Sequence, residues 1–298
     1  MEPDLPERVR AGDRRALARA ITAVENGEPE ARALMNALFP LAGGALVAAI
    51  TGPPGVGKST LADALATQAR AKGRVVAVLA IDPTSPFSGG ALLGDRFRME
   101  AGSREPAIFI RSMATRGHVG GLSAAAFEAV TILDASGRDF IIVETVGVGQ
   151  DEVEVAAAAA VTVVVLAPGL GDEIQASKAG LMEIADVVVV NKADREGVDR
   201  QVKDVESALP ASLVLQTVAT RGEGVPELLD AILARSPQIG ARRRRFLEGW
   251  LKELVARTAL SRVPPRVWED ALDATIARAS SPLEAVDRIL AALSGGAS

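Results

Sequence analysis

The sequence contains no cysteine and no tyrosine, and aromatic residues make up 3% of its 298 positions. The absence of cysteine excludes disulfides, thiolate metal sites and a thiol nucleophile. The shortage of aromatic side chains requires an aliphatic core and leaves little means of stacking on nucleic-acid bases. The first residues lack the apolar stretch of a signal peptide, and no uninterrupted apolar run reaches membrane-spanning length. We therefore expect a cytoplasmic protein without a membrane partner.

An excess of positive charge is also missing, since 33 Lys and Arg stand against 38 Asp and Glu, a formal net charge of -5. Non-specific binding of nucleic acid needs a basic field that this total does not supply. The local run Arg242 to Arg245 could form a nucleic-acid patch, a solvated helix face or a surface that pairs with acids of a partner subunit. The acidic total favours the last two, so no nucleic-acid partner is predicted.

The segment 46–60 joins an apolar run to a glycine-rich turn and the start of a helical pattern. Its glycines, lysine and serine match G-x-x-x-x-G-K-[ST], in which backbone N–H groups cradle phosphates, the lysine reaches the β- and γ-phosphates and the hydroxyl ligates Mg²⁺. An ordinary glycine turn would not require this strand-to-helix context. The predicted phosphate-binding residues are Gly52, Pro53, Pro54, Gly55, Val56, Gly57, Lys58, Ser59 and Thr60.

A second motif predicts the base of the nucleotide. Asn191, Lys192 and Asp194 form N-K-x-D after an apolar run, although N-K-A-D alone could be a surface turn. The Asp194 carboxylate can accept hydrogen bonds from guanine N1–H and the exocyclic amine, which adenine does not offer in that arrangement. Asn191 is expected to tie this loop to the phosphate-binding loop, and the Lys192 stem to cover the base. Guanine O6 is expected to meet a backbone N–H of the segment Val218, Ala219 and Thr220.

Three oxygen-bearing side chains are the predicted ligands of Mg²⁺, directly or through water: Ser59, Asp82 and Glu144. Glu144 stands where the commoner D-x-x-G form has aspartate, and Gly147 leaves a backbone N–H for the γ-phosphate. Asp82 could instead cap a turn before the following proline, whereas an unpaired Glu144 buried at a strand end would be costly. Lys58, Asp82 and Glu144 are accordingly the predicted catalytic residues for phosphoryl transfer to water.

Apolar strands alternate with helical patterns through the middle of the chain. Strands that are apolar throughout indicate a mainly parallel sheet covered by helices on both faces. The predicted fold class is therefore α/β, a P-loop NTPase with N-terminal and C-terminal helical extensions. We predict an N-terminal extension of two helices over 1–40, a GTPase domain over 41–237 and a C-terminal helical region over 238–298.

The segment 84–121 is long and rich in Gly, Ser, Pro and Arg, a composition typical of functional loops, disorder or linkers. His118, the only histidine of the chain, is interpreted as a loop residue rather than a catalyst. Four arginines of the same segment are candidates for an internal arginine finger on the transferred phosphoryl group. The sequence does not select among Arg96, Arg98, Arg111 and Arg116.

Several stretches together resemble the MeaB/ArgK family of P-loop GTPases. They are GDRRALARAITAVENG (12–27), AVLAIDPTSPFSGGALLGDRFRM (77–99), ETVGVGQDEVEV (144–155), PGLGDEIQASKAG (168–180) and the N-K-A-D motif. The likeness covers roughly residues 10–235, and it is specific because GTPases in general do not share the ETVGVGQ and SGG-x-LLGD runs. The final sixty residues match only in being helical. The nickel-insertion GTPases are more remotely similar, but their Cys/His metal ligands are missing here.

The resemblance implies a GTPase that binds GTP, GDP and Mg²⁺ and acts as a chaperone of methylmalonyl-CoA mutase or a related adenosylcobalamin-dependent acyl-CoA mutase. Hydrolysis would be slow alone, accelerated by the mutase, and coupled to cofactor loading and mutase protection. By the family pattern, switch segments would lie at Asp82 to Arg98, Glu144 to Gln150 and Gly171 to Lys178, and the C-terminal helices would hold a homodimer. Two alternatives remain: a P-loop kinase that phosphorylates a protein, and a nucleotide-bound scaffold without turnover.

Overall fold

The structure, a computed structural model, describes residues 4–83, 107–115, 121–145, 159–169, 184–210, 212–235 and 239–294. The chain divides into two compact units, Met1–Phe246 and Leu247–Ser298. Within the described ranges, no helix combines the length and the hydropathy needed to span a bilayer.

The larger unit is built on a parallel β-sheet. In chain order its described strands are β1 (Leu46–Thr51), β2 (Val76–Pro83), β3 (Phe109–Thr115), β4 (Phe140–Thr145), β5 (Val161–Leu166), β6 (Val187–Asn191) and β7 (Leu213–Thr217). They are hydrogen-bonded in the order β3-β2-β4-β1-β5-β6-β7, and each neighbouring pair runs parallel. Strands β4, β5 and β6 are buried at every position, as expected for strands covered on both faces.

Helices precede, connect and follow the strands. In the larger unit these are α1 (Leu5–Arg10), α2 (Arg14–Glu25), α3 (Ala31–Leu38), α4 (Lys58–Ala71), α5 (Gly121–Ala135), α6 (Val198–Ala208) and α7 (Val225–Ala234). Short 3₁₀ turns occupy Phe39–Leu41 and Ala219–Arg221. The C-terminal helices are α8 (Ile239–Ser261), which begins in the larger unit, α9 (Pro265–Ile276) and α10 (Pro282–Ser294).

The two largest aliphatic clusters lie on opposite faces of the sheet. On one face, Leu61 and Leu65 of α4 and Leu228 of α7 pack on the strands in a single buried cluster. On the other face, Leu17 of α2 and Ile132 of α5 belong to a second cluster with the strands. Helices therefore cover both faces, and the predicted α/β class with a mainly parallel sheet is confirmed. The aliphatic character predicted from the composition is present in both clusters.

The N-terminal segment forms three helices rather than the two that we predicted. Gly12 adopts a φ of 75°, which ends α1, and the Asp13 carboxylate accepts hydrogen bonds from the N–H groups of Arg15 (2.8 Å) and Ala16 (3.2 Å) at the start of α2. The six residues of α1 are too few to show a helical period in the sequence. This turn allows α1 and α2 to share the second core cluster with α5 and the sheet.

The parallel strands bring their carboxyl ends to one edge of the sheet, where ligands bind in open α/β folds. The phosphate-binding loop follows β1, Asp82 is the penultimate residue of β2, and Glu144 that of β4. The N-K-A-D motif begins in the last residue of β6, and the 3₁₀ turn at Ala219–Arg221 follows β7. The fold thus gathers separate sequence motifs at a single edge.

Candidate functional site

At both motif glycines of the phosphate-binding loop a Cβ would clash, with a backbone atom at Gly52 and with a side chain at Gly57. Gly52 has a φ of 141°, and a Cβ there would lie 2.2 Å from the carbonyl oxygen of Val165 in β5. Gly57 has a φ of 95°, and its Cβ would lie 2.6 Å from Asn191 Nδ2. Gly55, with a φ of 77°, meets no described atom within 4 Å, so it serves the turn conformation alone. The loop is therefore wedged between β5 and the first residue of N-K-A-D.

Lys58 places an ammonium group inside this loop. Its side chain is buried, with 6% relative exposure, and Nζ donates hydrogen bonds to the carbonyl oxygens of Gly52 (2.6 Å) and Pro53 (2.9 Å). Lys58 also begins α4, whose N-terminal N–H groups and dipole favour an anion. Pro54, Gly55, Ser59 and Thr60 are exposed around it. A buried ammonium group and the N-terminus of α4 thus lie next to exposed loop residues, an arrangement that suits a phosphate site.

A hydroxyl and a carboxylate meet beside the loop. Ser59 Oγ donates a hydrogen bond to Glu144 Oε1 at 2.5 Å, and Glu144 is 2% exposed. Among the described residues, no group of three or more His, Asp and Glu is arranged to hold a metal ion. The pair nevertheless fits Mg²⁺, which takes hard oxygen ligands and, in nucleotide sites, only one or two from the protein.

Other predicted members of this part of the site are only partly visible. The backbone of Asp82 pairs with Ala114 of β3, and its neighbour Ile81 pairs with Thr145 of β4, so Asp82 and Glu144 end adjacent strands. The Asp82 side chain lies outside the described part of the structure, and its role stays a prediction. The same holds for Gly147, His118, Arg96, Arg98, Arg116 and the segment Gly171 to Lys178.

Asn191 connects three elements of the site. It is 2% exposed, and Nδ2 donates to the carbonyl oxygen of Val56 in the phosphate-binding loop at 2.9 Å. Its Oδ1 accepts from Thr217 Oγ1 (3.0 Å) and from the Ala219 N–H (3.2 Å). The expected tie between N-K-A-D and the phosphate loop is therefore present, and it extends to the loop after β7.

Lys192 reaches across to the same phosphate loop. It has a φ of 58°, which is uncommon for a residue with a side chain, and its Nζ donates to the carbonyl oxygen of Gly55 at 2.6 Å. The lysine stem thereby spans the gap between the end of β6 and the loop tip. Such a stem provides an apolar wall against which a planar base can lie.

The backbone after β7 is already engaged at two of the three predicted O6-binding positions. Val218 N–H donates to the Glu223 carbonyl oxygen at 3.0 Å, and Ala219 N–H donates to Asn191 Oδ1. A contact from Ala219 N–H to guanine O6 would therefore share or replace its hydrogen bond to Asn191. Thr220 is the second residue of the 3₁₀ turn, close to the turn's N-terminal end, where N–H groups lack partners within the turn.

Asp194 has a charged neighbour that the sequence analysis missed. Its Oδ2 lies 3.3 Å from Arg221 Nη2, and Arg221 Nη1 lies 3.7 Å from Glu223 Oε1. Arg221 is 27 positions from Asp194, and no motif marks it. Only the pairing of β6 with β7, which places the two following loops side by side, brings the guanidinium to this carboxylate.

One of the four candidate finger arginines can be placed. Arg111 lies on β3, and its Nη2 donates to Thr22 Oγ1 (3.0 Å) and to Glu25 Oε2 (3.4 Å) of α2. These contacts hold the guanidinium on α2. Arg111 thus helps to pack α2 against the sheet. Arg96, Arg98 and Arg116 remain the candidates for an arginine finger.

Comparison with known sequences places the chain among GTPases. Residues 17–266 match the family model described as Methylmalonyl Co-A mutase-associated GTPase MeaB. A Pyrococcus abyssi protein that carries a GTPase name is 47% identical, over 99% of this chain and 98% of its own. The GTPase ArgK of Escherichia coli is 44% identical over 63% of this chain and 58% of its own, and the mitochondrial methylmalonic aciduria type A homolog of Caenorhabditis elegans is 41% identical over 62% and 50%.

Solved structures share the fold. The crystal structure of a protein titled LAO/AO transport system kinase superposes with a TM-score of 0.68 at 29% identity, covering 97% of both chains. The hydrogenase maturation factor HypB from Archaeoglobus fulgidus gives a TM-score of 0.51 at 16% identity over 77% of this chain and 97% of its own. The second likeness concerns the fold alone.

Proposed function

Because the chain belongs to the MeaB family of methylmalonyl-CoA mutase-associated GTPases, we propose that it hydrolyses GTP in the service of an adenosylcobalamin-dependent acyl-CoA mutase. The observation that best supports a guanine-nucleotide site is the connection that Asn191 and Lys192 make between N-K-A-D and the phosphate-binding loop. Both side chains donate to carbonyl oxygens of the phosphate loop, at Val56 and Gly55. A nucleotide with its phosphates in that loop would therefore have its base directed to Asp194.

The phosphate half of the site supplies positioning and charge. Lys58 Nζ now donates to loop carbonyls, and phosphate oxygens would replace these acceptors when the nucleotide enters. Ser59, Asp82 and Glu144 are the residues that would hold Mg²⁺, which when bound neutralises charge on the transferred phosphoryl group. The Ser59 hydroxyl could offer a lone pair to the ion while its O–H still donates to Glu144.

The reaction is the transfer of the γ-phosphoryl group of GTP to water, which forms GDP and phosphate. Such catalysis consists of positioning and electrostatic stabilisation, so the chain needs no covalent nucleophile. A loop that a partner orders can therefore raise the rate without contributing a reacting atom. We accordingly propose slow turnover by the protein alone and faster turnover with the mutase, coupled to cofactor loading and mutase protection.

A titration of GDP and ADP against the wild type and Asp194→Asn tests the nucleotide assignment. We expect GDP to bind far more tightly than ADP, and the substitution to remove most of that preference, because the amide presents a donor where guanine also presents one. Equal affinity for both nucleotides, unchanged by the substitution, would refute guanine specificity.

Two measurements test the proposed partner: the rate of GTP hydrolysis and the capture of mutases by the protein. Phosphate release from GTP is measured with and without candidate cobalamin-dependent mutases, and the mutases are then captured on the immobilised protein with a non-hydrolysable GTP analogue. Acceleration together with analogue-dependent capture supports the proposal. Identical rates with each candidate mutase, and no capture, would count against it.

A protein kinase is the second candidate function, since the similar solved structure with a TM-score of 0.68 is that of a protein described as a kinase. It would transfer the γ-phosphoryl group to a protein hydroxyl and would have little use for Asp194. Incubation with labelled GTP and ATP separates the two functions. Label in free phosphate from GTP supports the GTPase, and label in protein with ATP preferred supports the kinase.

We also propose that the C-terminal helices form a homodimer contact. In the smaller unit, Trp268, Leu272 and Ile276 follow one another at i, i+4 and i+8 along α9, and all are at least 48% exposed. Leu283 and Val286 continue the pattern on α10. Apolar helix stripes of this kind are costly in water and are typical of surfaces that a second chain covers.

A further inference from the structure

Arg221 lies beside the aspartate on which the proposed base recognition depends. Its Nη2 donates to Asp194 Oδ2 at 3.3 Å, while Nη1 lies 3.7 Å from Glu223 Oε1. The contact with Asp194 is a single charge-assisted hydrogen bond to one carboxylate oxygen, from a guanidinium whose donors lie in a rigid plane. Arg221 is thus suited to orient Asp194 rather than only to neutralise it.

The backbone that carries Arg221 is fixed. Arg221 ends the 3₁₀ turn after β7, and its N–H donates to the Val218 carbonyl oxygen at 2.9 Å. Val218 N–H in turn donates to the Glu223 carbonyl oxygen at 3.0 Å, which closes the loop. At the end of the loop, a Cβ on Gly224 would lie 2.1 Å from the Gln216 carbonyl oxygen, so this turn packs directly on β7.

The loop that carries Asp194 is fixed to the same strand. Ala193 N–H donates to the Thr217 carbonyl oxygen of β7 at 3.0 Å, and Arg195 N–H donates to the Lys192 carbonyl oxygen at 3.0 Å. Asp194 and Arg221 therefore face each other from two loops that are both anchored at the end of β7. Both members of the ion pair therefore lie on loops that backbone hydrogen bonds hold.

We infer that Arg221 is a positioning residue for guanine recognition, which holds one oxygen of Asp194 so that the carboxylate is directed to the base. An ionised carboxylate has about four acceptor positions, so one hydrogen bond from Arg221 leaves enough for guanine N1–H and the exocyclic amine. This inference deepens the proposed function and rests on the guanine-binding role of Asp194.

The expected effect is modest because the pair is not deeply buried. Relative exposure of the two side chains is 58% for Arg221 and 37% for Asp194. Exposed ion pairs of this kind change an equilibrium by about two- to fivefold. Because Arg221 acts through Asp194, its removal should change the affinity ratios between nucleotides that differ in the base. The contacts of the phosphates should be unaffected.

The test is a set of equilibrium titrations with GDP, IDP and ADP, in which IDP lacks the exocyclic amine of guanine. The variants are Arg221→Ala, Arg221→Lys, Asp194→Asn and the double variant of Asp194→Asn with Arg221→Ala. Arg195→Ala is the matched control, because it removes the same charge from an exposed position next to Asp194 in the chain. Thermal unfolding of each variant without nucleotide verifies that it is folded.

We expect Arg221→Ala to weaken GDP binding about two- to fivefold and IDP binding less, which lowers the GDP to IDP affinity ratio. Arg221→Lys should give an intermediate ratio, and Arg195→Ala should match the wild type. In the Asp194→Asn background, Arg221→Ala should have no further effect, since the group that it positions is gone.

Three results would overturn the inference. Wild-type or tighter GDP binding by Arg221→Ala would show that Arg221 is idle or competes with the base. Equal losses for GDP and IDP that persist in the Asp194→Asn background would show that Arg221 only stabilises its loop. If the wild type does not distinguish GDP from ADP, the proposed function fails and the inference falls with it, whereas the first two results leave the proposed function intact.

Discussion

Two glycines of the phosphate-binding loop form a matched pair at the scale of single residues. Gly52→Ala would force a Cβ to within 2.2 Å of a backbone oxygen of β5, whereas Gly55→Ala meets no described neighbour within 4 Å. We expect Gly52→Ala to lose about 3 kcal/mol of folding stability and its nucleotide binding, because overpacking adds to an unfavourable φ. Gly55→Ala should lose only roughly 1–2 kcal/mol, from its left-handed φ.

Urea unfolding and GDP titration of both variants measure this difference. The two substitutions add the same methyl group, so the larger loss in Gly52→Ala reports the contact with β5 together with the more extreme φ of that position. Similar losses in both variants would show that close approach to Val165 does not constrain the loop.

Asn191 allows a second prediction at this scale. Asn191→Ala removes its hydrogen bonds to Val56, Thr217 and Ala219 and leaves buried polar groups without this partner. We expect a loss of about 2–4 kcal/mol in the free energy of unfolding, together with weaker GDP binding. Asn36→Ala, on the exposed surface of α3, is the control and should change stability by less than about 0.5 kcal/mol. Denaturant unfolding that shows equal stability for the two variants would contradict the role given to Asn191.

At the scale of elements, we expect the stability of the junction between α1 and α2 to depend on pH. The pKa of Asp13 is held below its ordinary value of 3.8, first by the Ala16 N–H and then by the Arg8 side chain. A carboxyl with a lowered folded-state pKa contributes stability above its unfolded pKa and loses it as the pH falls through the folded-state pKa. Asp13→Asn retains a capping oxygen but does not titrate.

We therefore expect the wild type to unfold at a higher temperature than Asp13→Asn above about pH 5, and the two curves to converge as the pH falls below 3.8. Thermal unfolding of both proteins across this range measures the convergence. A difference that stays constant down to the lowest pH would show that ionised Asp13 does not stabilise the junction.

Buried strands were predictable from the sequence, and contacts between loops were not. Runs such as Val161–Leu166 and Val187–Asn191 are apolar at nearly every position, so the sequence indicates buried parallel strands directly. The ion pair of Asp194 with Arg221 instead depends on which strands are neighbours, and strand order has no local signature. Arg111 illustrates the same limit. Its position in an arginine-rich segment made it a candidate arginine finger, whereas in the structure its guanidinium is hydrogen-bonded to α2.

At the scale of the whole molecule, the apolar stripes of the smaller unit predict association. Ile276 is 71% exposed, and Ile276→Glu places a charge in the proposed dimer contact. We expect this variant to be monomeric at concentrations where the wild type is dimeric, because burying an unpaired charge is costly. Leu41→Glu, at a 47% exposed apolar position of the larger unit, is the control and should leave the dimer intact.

Sedimentation equilibrium gives the molar mass of both variants and of the wild type. A monomeric wild type, or an Ile276→Glu variant that remains dimeric, would exclude the helix stripes as the contact. Unchanged GDP binding by the monomeric variant would further show that the nucleotide site is complete within one chain.

The hydrogen bonds of Asn191 also bear on how strongly a whole nucleotide binds relative to its parts. One side chain sets the spacing between the groups proposed to hold the phosphates and those proposed to hold the base. Guanosine and pyrophosphate, offered separately, would each give up translational freedom, whereas GDP would do so once for both contacts. A rigid spacing makes this chelate advantage large, so GDP should bind far more tightly than guanosine and pyrophosphate offered together. Removal of the Asn191 hydrogen bonds should reduce this extra affinity of GDP before it abolishes the binding of either fragment.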